Sequence, residues 1–154
     1  LLELAKADAI ESSHKNCQLQ AVLAELQSQF FDRKLNLRYE NMPEYVLAIA
    51  PEVLAMVLYN LLENSIQHQA GQVDIIAVRR GNNIELQLHD NGTGVSLANQ
   101  DKIFTPFFTT RRNTGGTGLG LAITVSLLKA YQGTVELQPS GSGALFLITL
   151  NLAE

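Results

Sequence analysis

Three clusters in this chain combine residue types and spacings suited to holding a phosphorylated ligand. The densest is Gly115-Gly116-Thr117-Gly118-Leu119-Gly120-Leu121-Ala122-Ile123, which places four glycines in six residues ahead of an apolar helical pattern. Glycines let a backbone turn tightly and approach another group closely. A helix opening at their end adds unpaired N–H groups and the positive end of a dipole, which together make an anion cradle. Two familiar phosphate loops are excluded by spacing. A dinucleotide fingerprint needs glycine three positions after its second glycine, where Gly118 is followed by Leu121 and Gly120 by Ile123. A Walker A loop needs Gly-Lys before Ser or Thr, and the chain has no Gly-Lys pair.

The second cluster is Asn60, Glu63, Asn64, Gln67 and His68, spaced by three and four along a segment otherwise apolar nearly all round (Val53, Leu54, Met56, Val57, Leu58, Leu61, Leu62, Ile66). Helical spacing stacks those polar residues on one face. A buried amide without a partner costs roughly 1–3 kcal/mol, so the stripe must meet either water or a polar ligand. Mg²⁺ takes one or two oxygen ligands from protein and the rest from phosphates and water. The amide oxygen of Asn64 suits that role, with Asn60 one turn earlier holding a water or orienting the metal shell. The third cluster, Asp90-Asn91-Gly92-Thr93-Gly94-Val95, directly follows a strand pattern. An acid there can accept from the exocyclic amine of adenine, where guanine would present an acceptor oxygen. A plain Asp-Asn-Gly turn is the competing reading.

The elements that must position these clusters follow from periodicity. Residues 1 to about 31 read as helix in two parts, broken around Ser12 to Asn16, the second part marked by Leu19, Val22, Leu23, Leu26 and Phe30. Strands are expected at Leu35–Tyr39 and, after the Pro43 turn, at Val46–Ile49. Pro51 opens a helix to about His68. Val73–Arg79 and Ile84–Asp90 form a hairpin across Gly81-Asn82-Asn83. Residues 91–117 are loop-rich, a helix runs from about Leu119 to Tyr131, and Thr134–Gln138 and Ala144–Leu150 are the last strands. Strands joined mainly by hairpins with helices inserted predict an α+β sandwich, a mixed sheet with helices on one face.

At 154 residues and 46% hydrophobic content the chain can bury one core. A net charge of −4 argues against broad nucleic-acid or anionic-membrane binding, so phosphate must be held locally. Cys17 is the sole cysteine, which rules out an internal disulfide and is compatible with a reducing compartment. Pro51, Glu52 and Asn60 interrupt the longest apolar stretch, Val46 to Leu62, so it is not read as a membrane span.

Taken in order, Asn60-Leu61-Leu62-Glu63-Asn64, Asp90-Asn91-Gly92-Thr93-Gly94, Ile103-Phe104-Thr105-Pro106-Phe107-Phe108 and Gly116-Thr117-Gly118-Leu119-Gly120-Leu121 resemble the N, G1, F and G2 boxes of the ATP-binding catalytic domain of sensor histidine kinases. That domain belongs to the GHKL group of ATPases and kinases, and the resemblance covers roughly residues 33–152. It implies a Bergerat-type fold binding ATP and Mg²⁺, with Asn64 as the metal ligand and Asp90 as the adenine partner. Gly92 and Gly94 would shape the base pocket, and Thr117, Gly118, Leu119, Gly120 and Leu121 would meet the phosphates. Val95, His68 and, on the last strand, Thr149 complete the implied nucleotide contacts. A mobile lid would span Leu97 to Thr117, anchored by Phe104, Phe107 and Phe108, with Arg111 and Arg112 reaching the terminal phosphate. Gln67 departs from the family, many members of which carry lysine or arginine there.

The implied reaction is transfer of the γ-phosphoryl group to a histidine on a separate dimerisation domain, and then to a response regulator. GHKL hydrolases place a water-activating glutamate where this chain has Asn60, which cannot act as a base. His14 lacks the flanking acid and the proline of an acceptor box, since Lys15 and Asn16 follow it and Leu19 stands at the proline position. Residues 1–16 are therefore expected to be the remnant of the preceding dimerisation helix and 17–154 the catalytic domain. The piece is expected to be monomeric and cytoplasmic, with membrane anchoring of its parent left open. Two other readings stay open: a regulatory nucleotide-binding module with little transfer, and an anti-sigma-type serine kinase.

Overall fold

The computed structural model describes residues 16–108 and 120–154. The expected helix over residues 1–15, His14 included, lies outside them. In chain order the elements are β1 (Cys17–Gln18), α1 (Leu19–Phe31), β2 (Asn36–Arg38), β3 (Val46–Leu47), α2 (Pro51–Gln67), β4 (Gln72–Arg80), β5 (Asn83–Asp90), α3 (Gly120–Lys129), β6 (Thr134–Gln138) and β7 (Leu145–Asn151). Five strands make one sheet in the order β2-β4-β5-β7-β6. β2 runs parallel to β4, and all other neighbours are antiparallel.

Alternation decides which face of that sheet is covered. On β5, Ile84, Leu86, Leu88 and Asp90 are buried, and on β7 so are Phe146, Ile148 and Leu150. The helices supply the other half of the core through Leu19, Val22, Leu23, Leu26 and Phe30 of α1, Leu54, Val57, Leu58, Leu61 and Leu62 of α2, and Leu128 of α3. Glu85, Gln87 and His89 alternate onto the opposite, partly exposed face. The result is the expected α+β sandwich with helices on one side. Among the described residues no helix is long and apolar enough to cross a membrane.

Local chemistry sets the ends of the elements that matter most. Pro51 sits in the first turn of α2, where its missing N–H has no intrahelical partner to lose. The helix closes at Gln69, which takes φ of 65°, while the Ala70 N–H donates back to the Ser65 carbonyl at 2.9 Å. Such left-handed closure satisfies terminal carbonyls and turns the chain sharply. Here it delivers the last turn of α2 beside the end of β5. The β4–β5 hairpin closes over Gly81 and Asn82, between the paired Arg80 and Asn83, with Gly81 at φ 61°.

The first helix differs from expectation. Residues 17–18 form an antiparallel bridge with β3, Cys17 opposite Leu47 and Gln18 opposite Val46. The strand expected over 46–49 stops at Leu47, because the Ala48 N–H turns to the Asn151 carbonyl at 2.9 Å. Two-residue strands carry no periodicity for a sequence to display.

Cys17 is 6% exposed in this small sheet. Its thiol is pushed up to about 11, by burial first and by the charge of Glu52 second. A thiol that keeps its proton longer in the folded state contributes stability below the unfolded pKa of about 8.5, and that contribution fades as pH rises through about 11. The native protein is expected to resist alkylation at pH 8, labelling only as denaturant unfolds it. Rapid labelling of the native state by iodoacetamide would contradict this placement.

Candidate functional site

The polar stripe on α2 separates into residues already engaged and residues left open. Asn60 is engaged: its Nδ2 donates to the Gly120 carbonyl at 3.2 Å and lies 3.5 Å from Thr124 Oγ1. Thr124, fully buried, donates its own hydroxyl to the same carbonyl at 3.0 Å. Together they clamp the first turn of α3 against α2, fixing where its unpaired N–H groups point. A side chain at Gly120 would meet Asn60 at an ordinary 3.9 Å, so packing alone does not demand glycine there. Leu121, half-buried, packs against the core.

Glu63 is engaged on the outside. It pairs with Arg33 at the end of α1, and Arg33 also reaches the Tyr59 hydroxyl and lies over the Phe30 ring. The hydrogen bond from Arg33 holds the Glu63 carboxyl below its usual range. Asn64 is different: half-buried in the last turn, its side-chain amide has no partner among the described residues. Gln67, three residues on, is likewise half-buried and has no partner among the described residues.

Asp90 ends β5 on the helix-facing side and is 3% exposed. Its Oδ1 accepts from the backbone N–H groups of Gly92 and Ala144, each at 3.0 Å. Its Oδ2 accepts from the Ser65 hydroxyl at 2.9 Å. A buried carboxylate is tolerable only with such donors. Each carboxylate oxygen offers two lone pairs, so Oδ1 is saturated and Oδ2 retains one acceptor position. Asn91 has a separate job, its Oδ1 accepting from Gly71 and Gln72 N–H groups at 2.8 and 3.0 Å and tying the loop to the start of β4.

Around Asp90 the backbone packs too closely for side chains. A Cβ on Gly92 would lie 2.5 Å from the His68 carbonyl, which accepts from the Thr93 N–H at 2.8 Å. Gly94 takes φ of 77°, and a Cβ there would lie 2.9 Å from the Gly143 carbonyl. Gly143, at φ 65°, would drive a Cβ to 1.9 Å from the Asp90 carbonyl. The His89 ring, on the outer face, holds the same loop, with Nε2 2.8 Å from the Ser142 carbonyl and 3.0 Å from Ser140 Oγ. His68 Nδ1 lies 3.5 Å from Thr93 Oγ1.

Thus α2 touches both other clusters, binding the tip of β5 through Ser65 and the start of α3 through Asn60. The remaining expected residues are placed as follows. Thr149 lies opposite Glu85 and Thr134, on the sheet face away from the helices, because its neighbours Ile148 and Leu150 are the buried ones. The sheet itself separates it from Asp90. Val95 is half-buried against the core, its carbonyl taken by Gln100. Of the aromatic anchors, Phe104 packs edge-on against Phe146 at 6.3 Å and Phe108 joins the core, with Ile103 buried beside them. Phe107 takes φ of 67° and is 62% exposed, unlike Phe104 and Phe108. Arg111, Arg112, Thr117, Gly118 and Leu119, and the lid beyond Phe108, lie outside the described residues.

Sequence reasoning missed Ser65, Gly143 and Ala144. The β5–β7 register places Asp90 next beyond the pair His89–Leu145, and so against Ala144. Only that pairing, absent from the local sequence, identifies the loop. An open groove between residues 38–43 and 74–77 shares no residue with this set.

Residues 50–154 match the family model described as Histidine kinase-, DNA gyrase B-, and HSP90-like ATPase. Sensor histidine kinase ZraS of Escherichia coli (strain K12) is 32% identical over 158 residues, covering 97% of this chain and 33% of ZraS. C4-dicarboxylate transport sensor protein DctB of Rhizobium meliloti (strain 1021) is 31% identical over 140 residues, covering 88% of this chain and 22% of DctB. The chain therefore spans a third or less of these relatives. The mycobacterial sensor histidine kinase MprB superposes with a TM-score of 0.78 at 19% identity, over 90% of this chain and 97% of that one. Full-length ShkA in complex with AMPPNP gives 0.69 at 25% identity, over 88% of this chain and 29% of ShkA.

Proposed function

Because the chain belongs to the Histidine kinase-, DNA gyrase B-, and HSP90-like ATPase family, we propose that it binds Mg-ATP and transfers the γ-phosphoryl group to a histidine on a separate dimerisation domain, from which a response regulator receives it. Its relatives are sensor histidine kinases, and it corresponds to their ATP-binding catalytic domain. The observation that carries the reading is the Asp90 carboxylate, buried at a strand tip with one acceptor position open. That position suits the exocyclic amine of adenine. Gly92 and Gly94 keep the surrounding backbone bare, and α3, clamped by Asn60 and Thr124, aims its first-turn N–H groups at the phosphates.

The donors fit a hard cation. Asn64 offers a half-buried amide oxygen, without a partner among the described residues, in the same helical turn as Ser65. Mg²⁺ held there would neutralise charge on the phosphates. The other work is positioning: Asp90 and the glycines orient the base, and α3 and the glycine box orient the phosphates for in-line displacement. Hydrolysis fits less well, since Asn60 is clamped to α3 and Glu63 is paired with Arg33 on the outer side. The full-length ShkA structure solved with AMPPNP supports nucleotide as the ligand.

Radiolabelled ATP incubated with the chain and a supplied acceptor domain tests the transfer. Acid-labile label on the acceptor is expected. Acid-stable label would mean a serine kinase, free phosphate alone a hydrolase, and bound ATP without either a regulatory module. The base assignment has its own test. Asp90→Asn keeps an oxygen for Gly92 and Ala144 but turns an N–H₂ toward Ser65 and the ligand, where adenine needs an acceptor and guanine offers one. ATP affinity is expected to fall by about 1.5–3 kcal/mol, roughly 10- to 150-fold, with much less loss for GTP. Equal losses in calorimetry would count against the assignment.

A further inference from the structure

The Ser65 hydroxyl lies in the last turn of α2, 4% exposed, with two acceptors in reach of its single proton. One is the Leu61 carbonyl at 3.2 Å, the ordinary back-bond of a helical serine. The other is Asp90 Oδ2 at 2.9 Å, the shorter and charged partner, to which the proton is drawn. From this geometry we propose that Ser65 is a positioning residue for base selection, locking Asp90 so that the pocket presents only acceptors to the purine 6-position. The inference rests on Asp90 meeting adenine and deepens that reading.

The lock acts in two ways. With Oδ1 held by Gly92 and Ala144, the bond from Ser65 fixes the rotation of the carboxylate and settles which lone pair of Oδ2 remains. It also occupies the hydroxyl proton. A free serine hydroxyl beside Asp90 would rotate to donate to a 6-oxo group and blunt discrimination. Bonded to the carboxylate, it has no proton to offer. Burial removes water as an alternative partner, so the arrangement is set by protein groups alone.

The test compares ATP with purine riboside triphosphate, which lacks the 6-amino group and so makes no bond to Asp90. The wild-type chain is expected to bind ATP at least about tenfold more tightly than the analogue. Ser65→Ala should reduce that ratio to about two- to threefold by weakening ATP alone, with analogue affinity unchanged. In an Asp90→Asn background the same change should have no further effect on the ratio, as expected for groups acting through one another. A Ser65→Ala chain that keeps the full ratio overturns the role of Ser65 and leaves the adenine assignment standing. Equal weakening of both nucleotides also overturns it, since that marks general support of the pocket. A wild-type chain without preference for ATP removes the adenine assignment and the inference with it. Should Ser65→Ala not fold, Ser65→Cys supplies the same comparison, because its thiol is only a weak donor.

Discussion

Replacing Asn64 with alanine is expected to abolish magnesium-dependent ATP binding while leaving the fold intact. The two halves of that expectation have separate origins. Asn64 has no side-chain partner among the described residues, so truncation strands no donor or acceptor among them. Alanine is also the better helix former, which makes the change neutral or slightly stabilising by a few tenths of a kcal/mol. A ligand, in contrast, loses a protein oxygen from a shell in which Mg²⁺ takes only one or two. Changes to groups merely supporting a metal ligand already cost 10- to 100-fold, so loss of the ligand itself should cost at least about 100-fold. Calorimetry with magnesium, and again with chelator, measures the difference. Equal affinity of both chains for Mg-ATP would remove Asn64 from the metal site. Asn60 differs in kind, because its amide is spent on the Gly120 carbonyl and its loss would loosen α3.

That contrast shows how far sequence reaches. Spacing of three and four put Asn60 and Asn64 on one face of one helix, and the structure agrees. It did not reveal that one amide would be bonded to α3 and the other left without a partner among the described residues, because the distinction depends on what packs across from each. The alternation in Ile84–Asp90 was strong enough to place Asp90 at the end of a strand, and the structure adds that this tip is buried. The pattern in β7 was weaker: Leu145, Phe146, Leu147 and Ile148 are apolar on both faces, so nothing local said which parity is buried. Thr149 consequently came from resemblance alone, and it falls on the wrong side of the sheet. Ser65 shows the same limit from the opposite direction. In sequence it is a small polar residue in a helix, and only the packing of α2 on the end of β5 makes it a partner of Asp90.

The loop before β7 was legible only as a turn, and it carries the other large expected effect. Gly143→Ala is expected to destabilise the domain by about 2–5 kcal/mol and to weaken ATP binding in whatever fraction folds. Two costs combine. Gly143 holds φ of 65°, a left-handed conformation that costs a residue with a Cβ roughly 1 kcal/mol or more. The Cβ would also lie 1.9 Å from the Asp90 carbonyl oxygen, a backbone contact that no side-chain rotation relieves, and 3.1 Å from its side-chain Oδ1. The loop must therefore move, and it cannot do so alone. The Ala144 N–H donates to Asp90 Oδ1, and the Ala144 carbonyl accepts from the Asp90 N–H. Displacing Ala144 frees the carboxylate from one of its three donors and opens the last link between β5 and β7. On a domain stability of about 5–15 kcal/mol the loss is a large fraction, visible as a lowered melting temperature. Gly141, with nothing within 4 Å of an added Cβ and no positive φ, is the matched control in the same loop. If Gly141→Ala and Gly143→Ala melt alike, the close approach of this loop to Asp90 is not what holds the site.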